Sequence, residues 1–304
     1  MRQQMLAGLV AAVVASGTTD AAETGTVLRG LWAESAGVAA GIDYSVYLPP
    51  GYPDRRYPTL YLLHGFGADD RQWLKGGIAT LLDDMIARGE IGPLIAVMPD
   101  AGNSWYVDSA AHGGPGDYAT AIARDLVADV DHRFATRAER AHRGIAGISM
   151  GGFGALCLAF ERPETFGAVA GLSAGLFMPQ GISWQHGPAG RRAARRDHWY
   201  ASTFGREFDL DLYAAKTPFA YVDRLAKSSP HVLLIAGDDD GFGAYDGAVE
   251  LFLELRRQGI KPELRIGDGG HDWRFWRRML PETVRFFAAS FASATDDMQS
   301  ASLR

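Results

Sequence analysis

An α/β architecture, a mostly parallel sheet with helices on both faces, is the fold this sequence predicts. Short continuously apolar runs at Thr59–Leu63, Leu94–Met98, Gly144–Ile148, Ala168–Leu172 and Val232–Ala236 suit strands covered on both sides. Longer segments of helical period lie among them, at about Ile78–Arg88, Tyr118–Phe134, Gly151–Glu161 and Ala244–Gln258. Apolar runs and helical segments also share the chain in the rhythm of repeated strand–helix–strand units, which forces parallel pairing.

Taken in order, the chain opens with Arg2 ahead of an apolar run from Met5 to Ala15, then small and polar residues from Ser16 to Ala22. A positive start before a short apolar run is the pattern of a secretory signal, and the run is too short to span a bilayer. Residues 1–22 are therefore read as a signal peptide, with cleavage near Ala22 or near Ser16, and 23–304 as one domain of an exported protein, secreted or periplasmic. From Ile42 to Leu48, apolar residues alternate with small or polar ones at the period of a half-buried strand, and Pro49-Pro50-Gly51 turns the chain. After the Ala168–Leu172 run, the stretch from Ala174 to Ser229 breaks the rhythm. It carries aromatics, prolines and an arginine cluster, and reads as a lid-like insertion over the carboxyl ends of the strands, where open α/β sheets bind ligands. A strand near Leu264–Ile266 and a closing helix from Trp273 to Phe291 complete the domain.

Composition excludes several function classes. The 304 residues hold 30 Lys and Arg against 36 Asp and Glu, a net charge of −6, which supplies no field for gathering phosphates and argues against a nucleic-acid partner. The single cysteine, Cys157, makes neither an internal disulfide nor a thiolate metal site by itself. No repeat of solenoid or propeller period is present.

Chemistry concentrates at Gly147-Ile148-Ser149-Met150-Gly151, between an apolar strand and a glycine-rich helix. A serine hydroxyl needs a base and nearby oxyanion donors to act as a nucleophile. A sharp strand-to-helix turn lifts Ser149 clear of the sheet and aims the Met150 N–H at a developing oxyanion. The second donor is expected from the loop His64-Gly65-Phe66-Gly67, at the Phe66 N–H. His64 precedes the serine, contrary to the chain order of this motif, and reads as a histidine that orients the loop. The acid is sought at the strand end Gly237-Asp238-Asp239-Asp240, with Asp240 chosen and Asp238 in reserve, and the base at His271 after Gly269-Gly270. His231 sits at the wrong edge of the sheet, and His186 and His198 lie in the insertion. No dinucleotide fingerprint, P-loop, zinc-protease motif or calcium loop is complete, so neither a metal nor an organic cofactor is expected. Phe66, Trp105 and Tyr106 are expected to line the substrate pocket, with Trp184, Trp199 and Trp273 as looser candidates.

With these residues in view, the chain resembles the esterase D-like, feruloyl esterase-like group of the α/β-hydrolase superfamily. That group includes acetyl esterases, S-formylglutathione hydrolases, enterochelin-type esterases and antigen 85 mycolyltransferases. The resemblance rests on Tyr57–Gly65, Asn103-Ser104-Trp105-Tyr106, Gly147–Gly152, Gly237–Asp240 and Gly269–Asp272. It implies a Ser149–His271–Asp240 triad, oxyanion donors at Phe66 and Met150, and hydrolysis of a small-molecule or polysaccharide-linked ester through an acyl-enzyme. Phe66-Gly67-Ala68-Asp69 departs from the loop of S-formylglutathione hydrolases, and an aspartate acid departs from the glutamate of mycolyltransferases. The expectation is accordingly an exported feruloyl- or acetyl-type esterase. The alternatives are an acyltransferase, an S-formylglutathione or enterochelin esterase, and a non-catalytic glycan-binding protein.

Overall fold

The computed structural model describes residues 23–176, 197–205, 209–225 and 229–302. The expected signal peptide, Trp184, His186 and the arginines at 191, 192, 195 and 196 lie outside the described residues. Eight strands form one sheet: β1 (Thr26–Ala33), β2 (Ile42–Leu48), β3 (Thr59–Leu63), β4 (Ile95–Pro99), β5 (Arg143–Ile148), β6 (Ala168–Leu172), β7 (His231–Gly237) and β8 (Glu263–Gly267), in the spatial order β1-β2-β4-β3-β5-β6-β7-β8. β2 pairs antiparallel with both β1 and β4, and every pairing from β4 through to β8 is parallel.

The apolar runs are continuous because both faces of each strand are covered. In β3, Leu60 and Leu62 point into one core while Tyr61 and Leu63 point into the other. One core is closed by α1 (Gln72–Gly76), α2 (Ile78–Ala87) and α9 (Trp273–Ser302), through Trp73, Leu82, Phe275, Leu280 and Phe287. On the other face lie α3 (Tyr118–Thr120), a π-helical stretch (Ala121–Leu126), α4 (Val127–Arg133), α5 (Met150–Glu161) and α8 (Ala244–Arg257). Helix α5 sits at the centre of that layer and is buried on every side from Met150 to Phe160, which explains why its sequence shows no polar face.

In the insertion, α6 (Asp197–Phe204), α7 (Leu210–Lys216) and a 3₁₀ turn (Pro218–Arg224) are described. Tyr213 of α7 stacks on Phe153 of α5 at 5.9 Å, and Tyr200 of α6 stacks on Trp105, in the loop after β4, at 4.4 Å. Outside the insertion, β1 and α1 had no sequence counterpart. β1 is an edge strand with a register shift between Leu28 and Leu31, where Gly30 has a positive φ, so its alternation is broken. α1, at five residues, is too short to show a period. The closing helix also continues to Ser302, past the expected Phe291.

Candidate active site

Ser149 stands between β5 and α5 with φ 58° and ψ −116°, a conformation that costs a non-glycine residue about 1–3 kcal/mol. Its peptide groups are held on both sides. The Ser149 N–H donates to the Leu172 carbonyl, and its own carbonyl accepts from the N–H groups of Phe153 and Gly175. The flanking glycines are required by crowding: a Cβ on Gly147 would lie 2.0 Å from the Gly151 carbonyl oxygen, and one on Gly151 would lie 2.3 Å from that of Leu63. This tight turn brings the start of α5 against the end of β3 and leaves the serine half-buried.

Three loops at the carboxyl ends of the strands bring Asp240, His271 and Ser149 into one line. His271 Nε2 lies 2.9 Å from Ser149 Oγ, and Nδ1 lies 2.7 Å from Asp240 Oδ2. The second carboxylate oxygen of Asp240 accepts the Phe242 N–H at 2.9 Å. The Asp240 carboxylate is fully buried while the imidazole is 13% exposed, so the acid is shielded and the base can reach a substrate. Crowding also joins the two loops, since a Cβ on Gly237 would fall 2.0 Å from the Gly269 carbonyl oxygen. Asp272 accepts the Phe275 N–H at the start of α9, fixing the chain just after His271. The ring of Phe242 lies 4.5 Å from the imidazole on one side, and Trp276 meets it edge-on at 5.1 Å. Asp238 is not in the line. It is exposed, and its Oδ1 accepts the Gly269 N–H.

Two backbone donors flank the serine. The Met150 N–H belongs to the first turn of α5, where a helix leaves its N–H groups unpaired. The other is on the loop after β3. There the Gly65 N–H donates to Gln72 Oε1 and the Gly67 N–H to Asn103 Oδ1, each at 2.7 Å, and the Ala68 N–H donates to the Gly65 carbonyl. The intervening Phe66 N–H has no acceptor among the described residues. His64 is buried beneath the loop. Its Nε2 accepts the Ala101 N–H at 3.0 Å, which leaves the ring proton on Nδ1 to be donated to the Gly65 carbonyl at 2.8 Å. That is the loop-orienting place expected of it.

Tyr106 and Trp105 occupy a different place from the pocket wall expected of them. Both are buried, with positive φ of 59° and 55°. The Tyr106 hydroxyl donates to the His64 carbonyl, under the loop. The Trp105 indole lies edge-on to Phe153 and donates to the Trp199 carbonyl of α6. The rings that reach the line form a stack of Phe66, Trp199 and Phe242, the last of which lies against the His271 imidazole. Trp199 stacks on Phe66 at 5.7 Å and on Phe242 at 5.6 Å, bridging the two loops from the insertion. Trp273 packs away from the serine, against Trp73 and Trp276. Among the described residues, Asp238, Asp239 and Asp268 form a group of carboxylates near enough to share a cation, but all three are exposed. No described helix is long and apolar enough to cross a membrane.

Comparison with known proteins gives this geometry a family. A family model described as "Putative esterase" matches residues 35–287. The chain belongs to that esterase family. The esterase is 26% identical over 255 residues to an acetyl esterase of Caldicellulosiruptor saccharolyticus, covering 79% of this chain and 90% of the relative. It is 35% identical over 159 residues to an endo-1,4-beta-xylanase/feruloyl esterase of Xylanibacter ruminicola, covering 50% of this chain but 22% of that longer enzyme. Among solved structures, a ferulic acid esterase superposes with a TM-score of 0.72 at 25% identity, over 88% of this chain and 99% of the other. An S-formylglutathione hydrolase of Staphylococcus aureus does so with a TM-score of 0.65 at 20% identity, over 90% and 100%. The esterase is thus a carboxylic-ester hydrolase on the α/β-hydrolase fold, as the resemblance had implied.

Of the side chains in and around the site, Gln72, Phe242 and Trp276 escaped the sequence reading. Gln72 and Phe242 act through backbone contacts, the Gln72 amide oxygen and the Phe242 N–H, and such contacts leave no motif. Asn103 entered it only as part of a motif shared with relatives.

Proposed function

We propose that the esterase cleaves its ester through a covalent acyl-enzyme on Ser149. The observation that carries this reading is the unbroken line from Asp240 through His271 to Ser149, with two N–H groups beside it that have no acceptor among the described residues. His271 Nε2 takes the hydroxyl proton as Oγ attacks the ester carbonyl, and returns it to the departing alcohol. Asp240 holds the ring proton on Nδ1 and stabilises the imidazolium. The N–H groups of Phe66 and Met150 receive the oxyanion, each worth about 10²- to 10³-fold in rate. Water then attacks the acyl-enzyme by the same route and releases the acid.

For the substrate, we infer an ester of an aromatic or short acyl group on a carbohydrate. The names of the relatives support that class, and so do the stacked rings of Phe66, Trp199 and Phe242, which reach the His271 imidazole and suit a flat aryl face. We infer export as well, from the signal-like pattern of residues 1–22; N-terminal sequencing of protein recovered outside the cytoplasm tests it.

The test is hydrolysis of p-nitrophenyl acetate, butyrate and octanoate beside methyl ferulate, with Ser149→Ala as control. Turnover that falls by about 10⁶ in Ser149→Ala, together with loss of fluorophosphonate labelling, is the expected result. Retention of more than a few per cent of activity refutes the mechanism. Preference among the esters sizes the acyl site, and ester formation with an added alcohol instead of hydrolysis reassigns the enzyme to acyl transfer.

A further inference from the structure

We propose that Gln72 is a positioning residue that aims the Phe66 N–H at the substrate's oxyanion. The inference rests on the acyl-enzyme reading above and concerns how the loop after β3 keeps one N–H group available.

A trans peptide directs its carbonyl and its N–H to opposite sides of one plane, so fixing either end orients the other. In the Gly65–Phe66 peptide, the carbonyl accepts from His64 Nδ1 and from the Ala68 N–H, at 2.8 and 3.2 Å. The Phe66 N–H must therefore face the other way. Gly65 has no side chain to restrain it, and its two peptide planes are free to turn unless each is held. The preceding plane, His64–Gly65, is held at both ends. Its carbonyl accepts the Tyr106 hydroxyl at 3.1 Å, and its N–H donates to Gln72 Oε1 at 2.7 Å.

Gln72 is well placed to be the fixed point. It opens α1, its N–H donates to the Asp69 carbonyl, and the next residue, Trp73, is buried with its indole donating to the Leu63 carbonyl at the end of β3. Gly65 is buried and close to the nucleophile, since a Cβ there would lie 3.6 Å from Ser149 Cβ. A small rotation of the loop thus displaces the donor relative to the reacting carbonyl. On the far side, Asn103 Oδ1 holds the Gly67 N–H, but in an exposed position where water can take its place.

The experiment compares the wild-type enzyme with Gln72→Met, Gln72→Ala and Asn103→Ala. The readouts are kcat/KM on p-nitrophenyl acetate and inhibition by an alkyl trifluoromethyl ketone and its matching carbinol. The ketone adds to Ser149 Oγ and places an oxyanion between the two donors, whereas the carbinol binds without one. In the Gln72 variants, kcat/KM should fall about 10- to 100-fold, a large part of what one oxyanion donor supplies. The Ki of the ketone should rise by the same factor and that of the carbinol should stay within about twofold. Asn103→Ala should lose less than about threefold, because solvent replaces its bond. If Gln72→Met does not fold, Gln72→Ala is read instead; water can satisfy the Gly65 N–H there but is not fixed to α1, so the loop still loses its anchor and the same fall is expected. The proposal is overturned if ketone and carbinol weaken together, or if neither inhibitor nor rate changes while Ser149→Ala is inactive. An active Ser149→Ala, by contrast, overturns the acyl-enzyme reading itself.

Discussion

Replacing Asp240 by asparagine changes one group and leaves the shape of the site intact, so its effect can be worked out from the hydrogen bonds. One carboxylate oxygen accepts the Phe242 N–H at 2.9 Å and the other accepts from His271 Nδ1 at 2.7 Å. An amide has one acceptor and one donor to place in those two positions. With its oxygen kept on the Phe242 N–H, its NH₂ faces His271 and moves the ring proton to Nε2. His271 then presents a donor to Ser149 Oγ in place of a base. Turned the other way, the NH₂ meets the Phe242 N–H in a buried position, which costs about 1–3 kcal/mol for the unpaired donor. The first arrangement therefore dominates. Loss of the base by a wrong tautomer lowers kcat by about 10⁴ in enzymes with this arrangement, or about 5.5 kcal/mol at 1.36 kcal/mol per decade. We expect that loss for Asp240→Asn in kcat on p-nitrophenyl acetate, with a melting temperature near that of the wild type. Asp238→Asn should stay within about twofold, since Asp238 is exposed and an amide oxygen can still accept the Gly269 N–H. Asp240→Asn retaining more than about a tenth of the activity, or Asp238→Asn losing it, refutes the assignment of the acid.

Three further predictions concern the scaffold. Gly151→Ala places a Cβ 2.3 Å from the Leu63 carbonyl oxygen and 2.6 Å from that of His64, both backbone atoms, so it should cost at least the upper end of the usual 1–3 kcal/mol of overpacking. Urea unfolding measures this, and an unchanged midpoint contradicts the crowding at the turn. The Cys157 thiol is buried, its hydrogen directed at the Lys216 carbonyl, and burial pushes its pKa well above the usual value. It should resist a disulfide reagent at about pH 8 in the folded enzyme and react once unfolded; rapid labelling of the native enzyme argues against that placement. His142 is buried, and burial, helped by the nearby Arg137, holds its pKa below 6.5. Between the folded and unfolded pKa values the unfolded chain binds more protons, so stability is present above about pH 6.5 and is lost as the pH falls through the folded pKa. The stability gap between wild type and His142→Asn should therefore narrow from about pH 8 to pH 5, and a constant gap refutes the linkage.

The parallel centre of the sheet was legible because its strands are covered twice. β3, β4, β5, β6 and β7 read as unbroken apolar runs, and each was found within a residue or two of its observed limits. β1 was not legible, because an edge strand with one exposed face and a bulge near Gly30 carries no clean period. The helix from Tyr118 to Phe134 was predicted as one segment, but its π-helical turns from Ala121 to Leu126 depend on a change in hydrogen bonding that side-chain spacing does not reveal. Trp105 and Tyr106 illustrate a different limit. A pocket ring and a ring buried beneath a loop look alike in composition, and the Tyr106 hydroxyl bond to the His64 carbonyl is visible only in three dimensions.

By itself the sequence determined the layered α/β class and the serine's strand–turn–helix setting, and chain order with the family resemblance pointed to Asp240 and His271, with Asp238 in reserve; the structure brings the three chosen residues together. Strand burial and the strand–turn–helix motif are local properties, written within a few residues of each other. Tertiary structure decided what holds those residues in place: Gln72 on the Gly65 N–H, His64 on the Gly65 carbonyl, the Phe242 N–H on Asp240, and Trp199 between two loops. All of these are contacts to backbone atoms or ring faces, and those of Gln72 and Trp199 come from other segments. Any residue type offers those, so no pattern of residue types along the chain announces them.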